Sequence, residues 1–200
     1  MLANPRPLAL VVRPGSTWRE ALIARVRAMH GMWTRGVADL TVAQVNHVER
    51  VAVLPLAFTL VHYVRGEDQN ASRVFDQSGM RWDAHVAKVG FKGELPVRGS
   101  SMVLASAVRI GDLDAWRAYQ TAVFERTEAM LHALAPNDLE TLMFDGVRPD
   151  GLEHSFLELM VPAGPLRRGD LAEAWIYQHG IRHLGELEHA RALVGLGGLS

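Results

Sequence analysis

The chain contains no cysteine, which excludes disulfides, thiolate zinc sites and a cysteine nucleophile. Any metal would have to be held by histidine and carboxylate. Also missing is an apolar run near the roughly 18–20 residues that a membrane-spanning helix requires. The opening MLANPRPLALVVRPGS has an apolar patch that a proline and an arginine interrupt. It lacks the basic region, apolar core and cleavage site of a secretory signal, so a cytoplasmic location is expected. Charge of one sign is absent as well. The formal net charge is -1 and the longest basic run is the doublet Arg167-Arg168, so neither nucleic acid nor membrane is expected as a partner.

What is present fits a single domain spanning residues 1–200, long enough for one sizeable core. The first helix opens at STWREALIARVRAMHGMW, where Thr17 and Glu20 make a capping-box pattern and Gly36 is the expected stop. Thr41 opens a further short turn of helix. Pro55 suits the first position of helix two, PLAFTLVHYVRGEDQNASRVF. Residues 76–111 carry glycines, serines and Pro96, with RWDAHVAKV as a short helix inside a partly structured crossover. Helix three follows Asp112 as N-cap and closes at Pro136. After a second irregular stretch, helix four is expected from Asp170 to the GLGG end. The expected fold class is all-α: a four-helix bundle whose long crossover between helices two and three lets those two run parallel.

The segment YQHGIRHLGELEHARALVGLGG places His179 and His183 four residues apart. At about 100° per residue they share one face, together with Ala172, Trp175, Glu186 and Ala190. That face is the apolar one, while Tyr177, Glu188, Arg191 and Ala192 point outward. Helix two directs His62 inward on the same reasoning. Two readings of these histidines remain: packed, hydrogen-bonded core residues, or three ligands of a metal with one exchangeable position. Gly180 stands where the zinc-protease motif H-E-x-x-H needs its glutamate, and only Glu186–His189 matches the E-x-x-H of di-iron bundles. Neither of those families is supported. Glu67 and Asp68 are expected at the end of helix two as solvated charges or hydrogen-bond partners. Arg65 and Arg182 are candidate anion-binding groups.

Three stretches together resemble the DinB-like metal-binding superfamily. LTVAQVNHVERVAVLPLAFTLVHYVRGEDQN resembles its helix with a histidine followed by Glu-Asp. YQTAVFERTEAMLHALAPNDLE resembles its third helix and turn, and YQHGIRHLGELEHARALVGLGG its last helix. The likeness runs from about residue 17 to 197 and departs from the common pattern at Gly180 and across HVERVAVLP. The resemblance implies an up-down-down-up bundle and His62, His179 and His183 as the metal triad. It implies a divalent cation, zinc or nickel first, with iron or manganese as further options, and a homodimer. It further implies a metal-dependent transferase acting on a low-molecular-weight thiol. Glu186, one turn beyond His183, is the candidate catalytic residue, orienting a histidine or moving a proton, or else a helix-end glutamate solvating the site. The alternatives are a metal-assisted hydrolase and a non-catalytic metal- or ligand-binding bundle. The substrate is expected at the mouth between the bundle and residues 76–111.

Overall fold

The computed structural model describes residues 15–50, 53–76, 78–97, 99–135, 137–146, 156–161 and 164–199. The expectations about residues 1–14 and about Pro136 lie outside the described residues. Among the described residues the architecture is mostly helical, with one small antiparallel sheet.

Helix α1 (Trp18–Ala38) starts as expected: the Thr17 hydroxyl accepts from the Glu20 amide at 3.3 Å, and the Glu20 carboxylate accepts from the Thr17 amide at 2.8 Å. It does not stop at Gly36. That glycine is buried inside the helix, where a Cβ would come within 2.6 Å of Leu187. The residue is there for close packing, not for termination. Helix α2 (Val42–Val45) is the short turn capped by Thr41. Helix α3 (Leu56–Ala71) begins one residue later than expected, because Pro55 has extended backbone and serves as N-cap. A π-turn, Ser72–Asp76, continues it.

The crossover holds two short helices, the expected α4 (Trp82–Val89) and an unexpected α5 (Met102–Ala107). Ser101, read in the sequence as an interruption, caps α5 by accepting from the Leu104 amide at 3.3 Å. Asp112 caps α6 (Leu113–Ala133), its carboxylate accepting from the amides of Asp114 and Ala115 at 2.9 Å each. The irregular stretch after α6 contributes β1 (Leu142–Phe144), paired antiparallel with β2 (Leu166–Arg167). Helix α7 (Arg168–Ala172) therefore starts two residues before Asp170, whose carboxylate accepts from the Arg167 amide at 2.8 Å. A second π-turn, Glu173–Gln178, joins α7 to α8 (His179–Leu193). The GLGG end works as expected: Gly195 takes φ +79°, and the Leu196 amide reaches back to the Arg191 carbonyl at 3.0 Å.

Helix α1 packs on α6 and α8, and α3 packs on the same two. Met29, Trp33, Leu60, Tyr63, Trp116 and Leu187 form one buried cluster between them, and Leu22, Val26, Leu131 and Trp175 belong to a second. Cross-contacts show how the elements meet. Arg19 donates to the His132 carbonyl and Arg117 to the Val37 carbonyl, while Arg25 pairs with Glu173 and Arg191 with Asp39. Arg191 was expected on the outward face, yet it is buried. Its guanidinium donates to the Gly36 carbonyl at 2.8 Å and to Asp39 at 2.6 Å. The end of α1 leaves carbonyls without helical partners, and a cation there satisfies them.

Glu67 and Asp68 are hydrogen-bond partners, but not solvated ones: both are completely buried on α3. Asp68 accepts from Arg126 at 3.0 Å, the Trp82 amide at 2.9 Å and the Tyr119 hydroxyl at 3.1 Å. One carboxylate thereby ties α6 and the start of α4 to α3. Removing one partner of such a pair strands the other charge, so Asp68→Ala should cost about 3–5 kcal/mol. Urea unfolding is the measurement, and a loss below about 1 kcal/mol would contradict this role.

Candidate metal centre

The π-turn before α8 sets where its histidines point. An added residue in the turn frees backbone groups from the regular ladder, and the Asn70 side chain of α3 donates to the Trp175 carbonyl at 3.3 Å. From there α8 continues against α3. Gly66 of α3 faces His179 so closely that a Cβ would lie 3.3 Å from its Cε1. One residue on, a Cβ at Gly180 would lie 2.1 Å from the Met29 sulfur and 2.7 Å from the Tyr63 hydroxyl. Trp33 donates its indole N–H to the Gly180 carbonyl at 3.2 Å. Gly180 thus does more than remove the zinc-protease motif, because no other residue lets α8 sit this deep.

At that depth His62, His179 and His183 come together, one ring nitrogen of each lying within 4.8 Å of the others. Nε2 of His183 and Nε2 of His179 are 3.0 Å apart. The His62 ring stands edge-on to both and stacks on Phe58 with nearly parallel planes. His183 is buried and the other two are partly so. Its Nδ1 lies 2.7 Å from the Glu186 carboxylate. A carboxylate only accepts, so Nδ1 carries a proton and Nε2 is the nitrogen turned toward the centre.

Burial, reinforced by the neighbouring His183, pulls His62 down to about 4. The same two causes, in that order, hold His179 well below the ordinary histidine value. Both are therefore neutral at neutral pH, the form that ligates. Burial pushes Glu186 up, but its hydrogen bond with His183 and the charges of His183 and Arg182 outweigh that and leave it lowered. Three imidazoles around one point, two of them kept neutral by burial, can hold a metal ion. In a tetrahedral site with metal–nitrogen bonds of about 2.0–2.1 Å, ligand nitrogens lie roughly 3.4 Å apart, so modest side-chain shifts bring these three into range. The buried His179 Nδ1 has no hydrogen-bond partner, a second sign that the ring's other interactions position it.

Sequence reasoning missed the group behind the triad. His30, on α1, stacks on Phe124 and places Nε2 3.0 Å from Glu67 and Nδ1 2.9 Å from Glu128. Tyr63 donates to the same Glu67 carboxylate at 2.5 Å. The available signal was the apolar stripe of Val26, Met29 and Trp33, which puts His30 beside it; nothing in the spacing names its partners. His189 is exposed and outside the triad, as expected. An open cleft does adjoin the site, lined by Val53, Leu54, Arg182, Gly185, Glu186 and His189. None of the described residues in 76–111, where the substrate mouth was expected, lines this cleft; Val53 and Leu54, just ahead of α3, face α8 there instead.

No family model and no curated protein matches the chain. Among solved structures, it is similar to a conserved protein from Enterococcus faecalis, with a TM-score of 0.68 and 15% identity, covering 90% of this chain and 99% of that one. This likeness concerns the fold. Among the described residues, no helix is long and apolar enough to cross a membrane.

Two outcomes follow from this geometry. Gly180→Ala should destabilise by about 1–3 kcal/mol through overpacking, measured by urea unfolding; a neutral result would mean α8 is not held by this contact. His30 supplies a pH signature. Burial lowers its pKa, but the Glu67 charge and hydrogen bonds to Glu128 and Glu67 overcome this and raise it to about 9. Its contribution is complete below the free value of about 6.5 and is lost as pH rises from there through about 9, on the order of 2–3 kcal/mol. Unfolding free energies across that window should fall in wild type and flatten in His30→Gln; equal slopes would contradict the assignment.

Proposed function

We propose that this chain is a divalent-metal protein of the DinB-like type, built as an up-down-down-up four-helix bundle and acting as a metal-dependent transferase on a low-molecular-weight thiol. The single observation carrying the metal reading is the Glu186 carboxylate on Nδ1 of a buried histidine whose Nε2 faces two further imidazoles. Metal-ligating histidines characteristically give their second ring N–H to such an acceptor. The bundle reading is supported by contact order along the helices. The start of α1 meets the end of α6 and its end meets the start of α6, whereas Arg25 of α1 pairs with Glu173 in the π-turn leading into α8 and the far ends of α1 and α8 meet through Asp39 and Arg191.

In this reading His62, His179 and His183 would hold the cation, with zinc or nickel as the preferred ions. The bound cation would supply Lewis acidity, which brings a thiol's pKa toward neutrality. The chain's own residues do the rest. Glu186 fixes the ring of His183 and is a positioning residue. Burial keeps His62 and His179 unprotonated at neutral pH. The adjoining cleft admits a substrate on the Glu186 side.

Metal content of protein purified without an affinity metal should approach one equivalent, and His179→Ala/His183→Ala should abolish it. Glu186→Gln should retain the fold and weaken metal affinity by about 10–100-fold. Thiol transfer to a generic electrophile should then require both metal and thiol. Absence of stoichiometric metal in wild type would overturn the metal reading. Ester hydrolysis needing metal but no thiol, or bound metal with no turnover of either kind, would overturn the transferase reading.

A further inference from the structure

Helix α8 carries a second stripe beside its histidines. Arg182, Gly185, Glu186 and His189 recur at the spacing that puts side chains on one helical face, and all four line the open cleft, opposite Val53 and Leu54. Glu186 belongs to both features, since its carboxylate also holds His183. The cleft therefore leads to the candidate metal centre through one residue.

Gly185 is the unexplained member. It lies inside α8, where glycine weakens a helix relative to alanine. The neighbouring helical glycines have packing reasons: Cβ atoms at Gly36, Gly66 and Gly180 would meet other helices. A Cβ at Gly185 would meet nothing within 4 Å. Gly185 is exposed and lines the cleft, so its missing side chain leaves that part of the cleft open. Arg182 brings the positive charge. It is exposed and lines the cleft one helical turn before Glu186. The Glu186 carboxylate is hydrogen-bonded to His183, and Val53 and Leu54 offer an apolar wall.

We infer that this cleft binds a small molecule carrying a carboxylate next to a short apolar chain, with Arg182 taking the carboxylate and Gly185 making room for the chain. The inference rests on the metal-centre reading above, and it names the substrate class for that site. A guanidinium suits a carboxylate because its N–H donors form a charge-assisted, two-pronged contact. A bulkier residue at 185 would fill cleft space that the glycine leaves open.

The test compares 3-mercaptopropionate with its neutral analogue 3-mercapto-1-propanol, by calorimetric titration of zinc-loaded and zinc-free protein. Zinc-loaded wild type should bind the carboxylate about tenfold more tightly than the alcohol. Arg182→Gln should erase that preference. Gly185→Leu should weaken both probes by at least about tenfold, with a wild-type circular dichroism spectrum. Gly185→Ala, which restores helix propensity, should melt at a higher temperature than wild type. Equal affinity of wild type for the two probes, a preference surviving in Arg182→Gln, or unchanged binding in Gly185→Leu would each overturn the inference. The two readings fail separately. Zinc bound without carboxylate preference removes this inference and leaves the centre. A carboxylate preference that depends on Arg182 in protein unable to bind zinc removes the centre and leaves the cleft.

Discussion

The close approach of α8 to α1 and α3 is the constraint on which the rest of the structure depends. Three glycines permit it. Gly36 admits Leu187, Gly66 lies against His179, and Gly180 lies under Met29 and Tyr63. Side chains at these points would hold the helices apart, and the imidazoles of α3 and α8 would no longer share a centre. The π-turn ahead of His179 sets the rotation of α8, and the glycines set its depth. Together they convert two histidines four residues apart, plus one on another helix, into a triangle of ring nitrogens.

Behind that triangle lie charges that a core normally excludes. Glu67 and Asp68 are adjacent on α3 and face opposite problems. Asp68 is answered by Arg126, Tyr119 and a backbone amide. Glu67 is answered by His30 and Tyr63, with Glu128 completing the set on the far side of His30. Buried ions contribute little net stability when paired and cost much when unpaired. Their consequence here is positional: α1, α3 and α6 have one arrangement in which every charge has its partner. Tyr63 connects this layer to the glycine contact at Gly180, so the packing that places the histidines and the network that fixes α3 share a residue.

Much of this was legible in the sequence where local chemistry decides it. The caps at Thr17, Thr41 and Asp112, the short helix at Trp82–Val89 and the glycine end after Leu193 follow from side chains within a few residues of the boundary. The inward direction of His62, His179 and His183 followed from helical periodicity, and the three are together. Partners distant in sequence were not legible. Gly36 looks like a stop unless Leu187 is known to press on it. Arg191 belongs outside on a helical wheel, yet its long stem reaches the open end of α1. Glu67 and Asp68 look solvated until His30 and Arg126 arrive from other helices. The wheel also assumes one constant rotation, which the Glu173–Gln178 π-turn breaks. The start at Arg168 and the small sheet depend on strand pairing across residues 142–167, where no periodic pattern announces it.

The proposed function stands on three histidines ligating one divalent ion, with Glu186 holding His183 from behind. X-ray absorption at the zinc edge on zinc-loaded protein in solution tests this most directly. Wild type should show a first shell of nitrogen and oxygen at about 2.0–2.1 Å with multiple scattering that fits three imidazoles, and His179→Ala/His183→Ala should retain no stoichiometric zinc. A spectrum fitting no more than one imidazole in wild type, or one that the double substitution leaves unchanged, would contradict it.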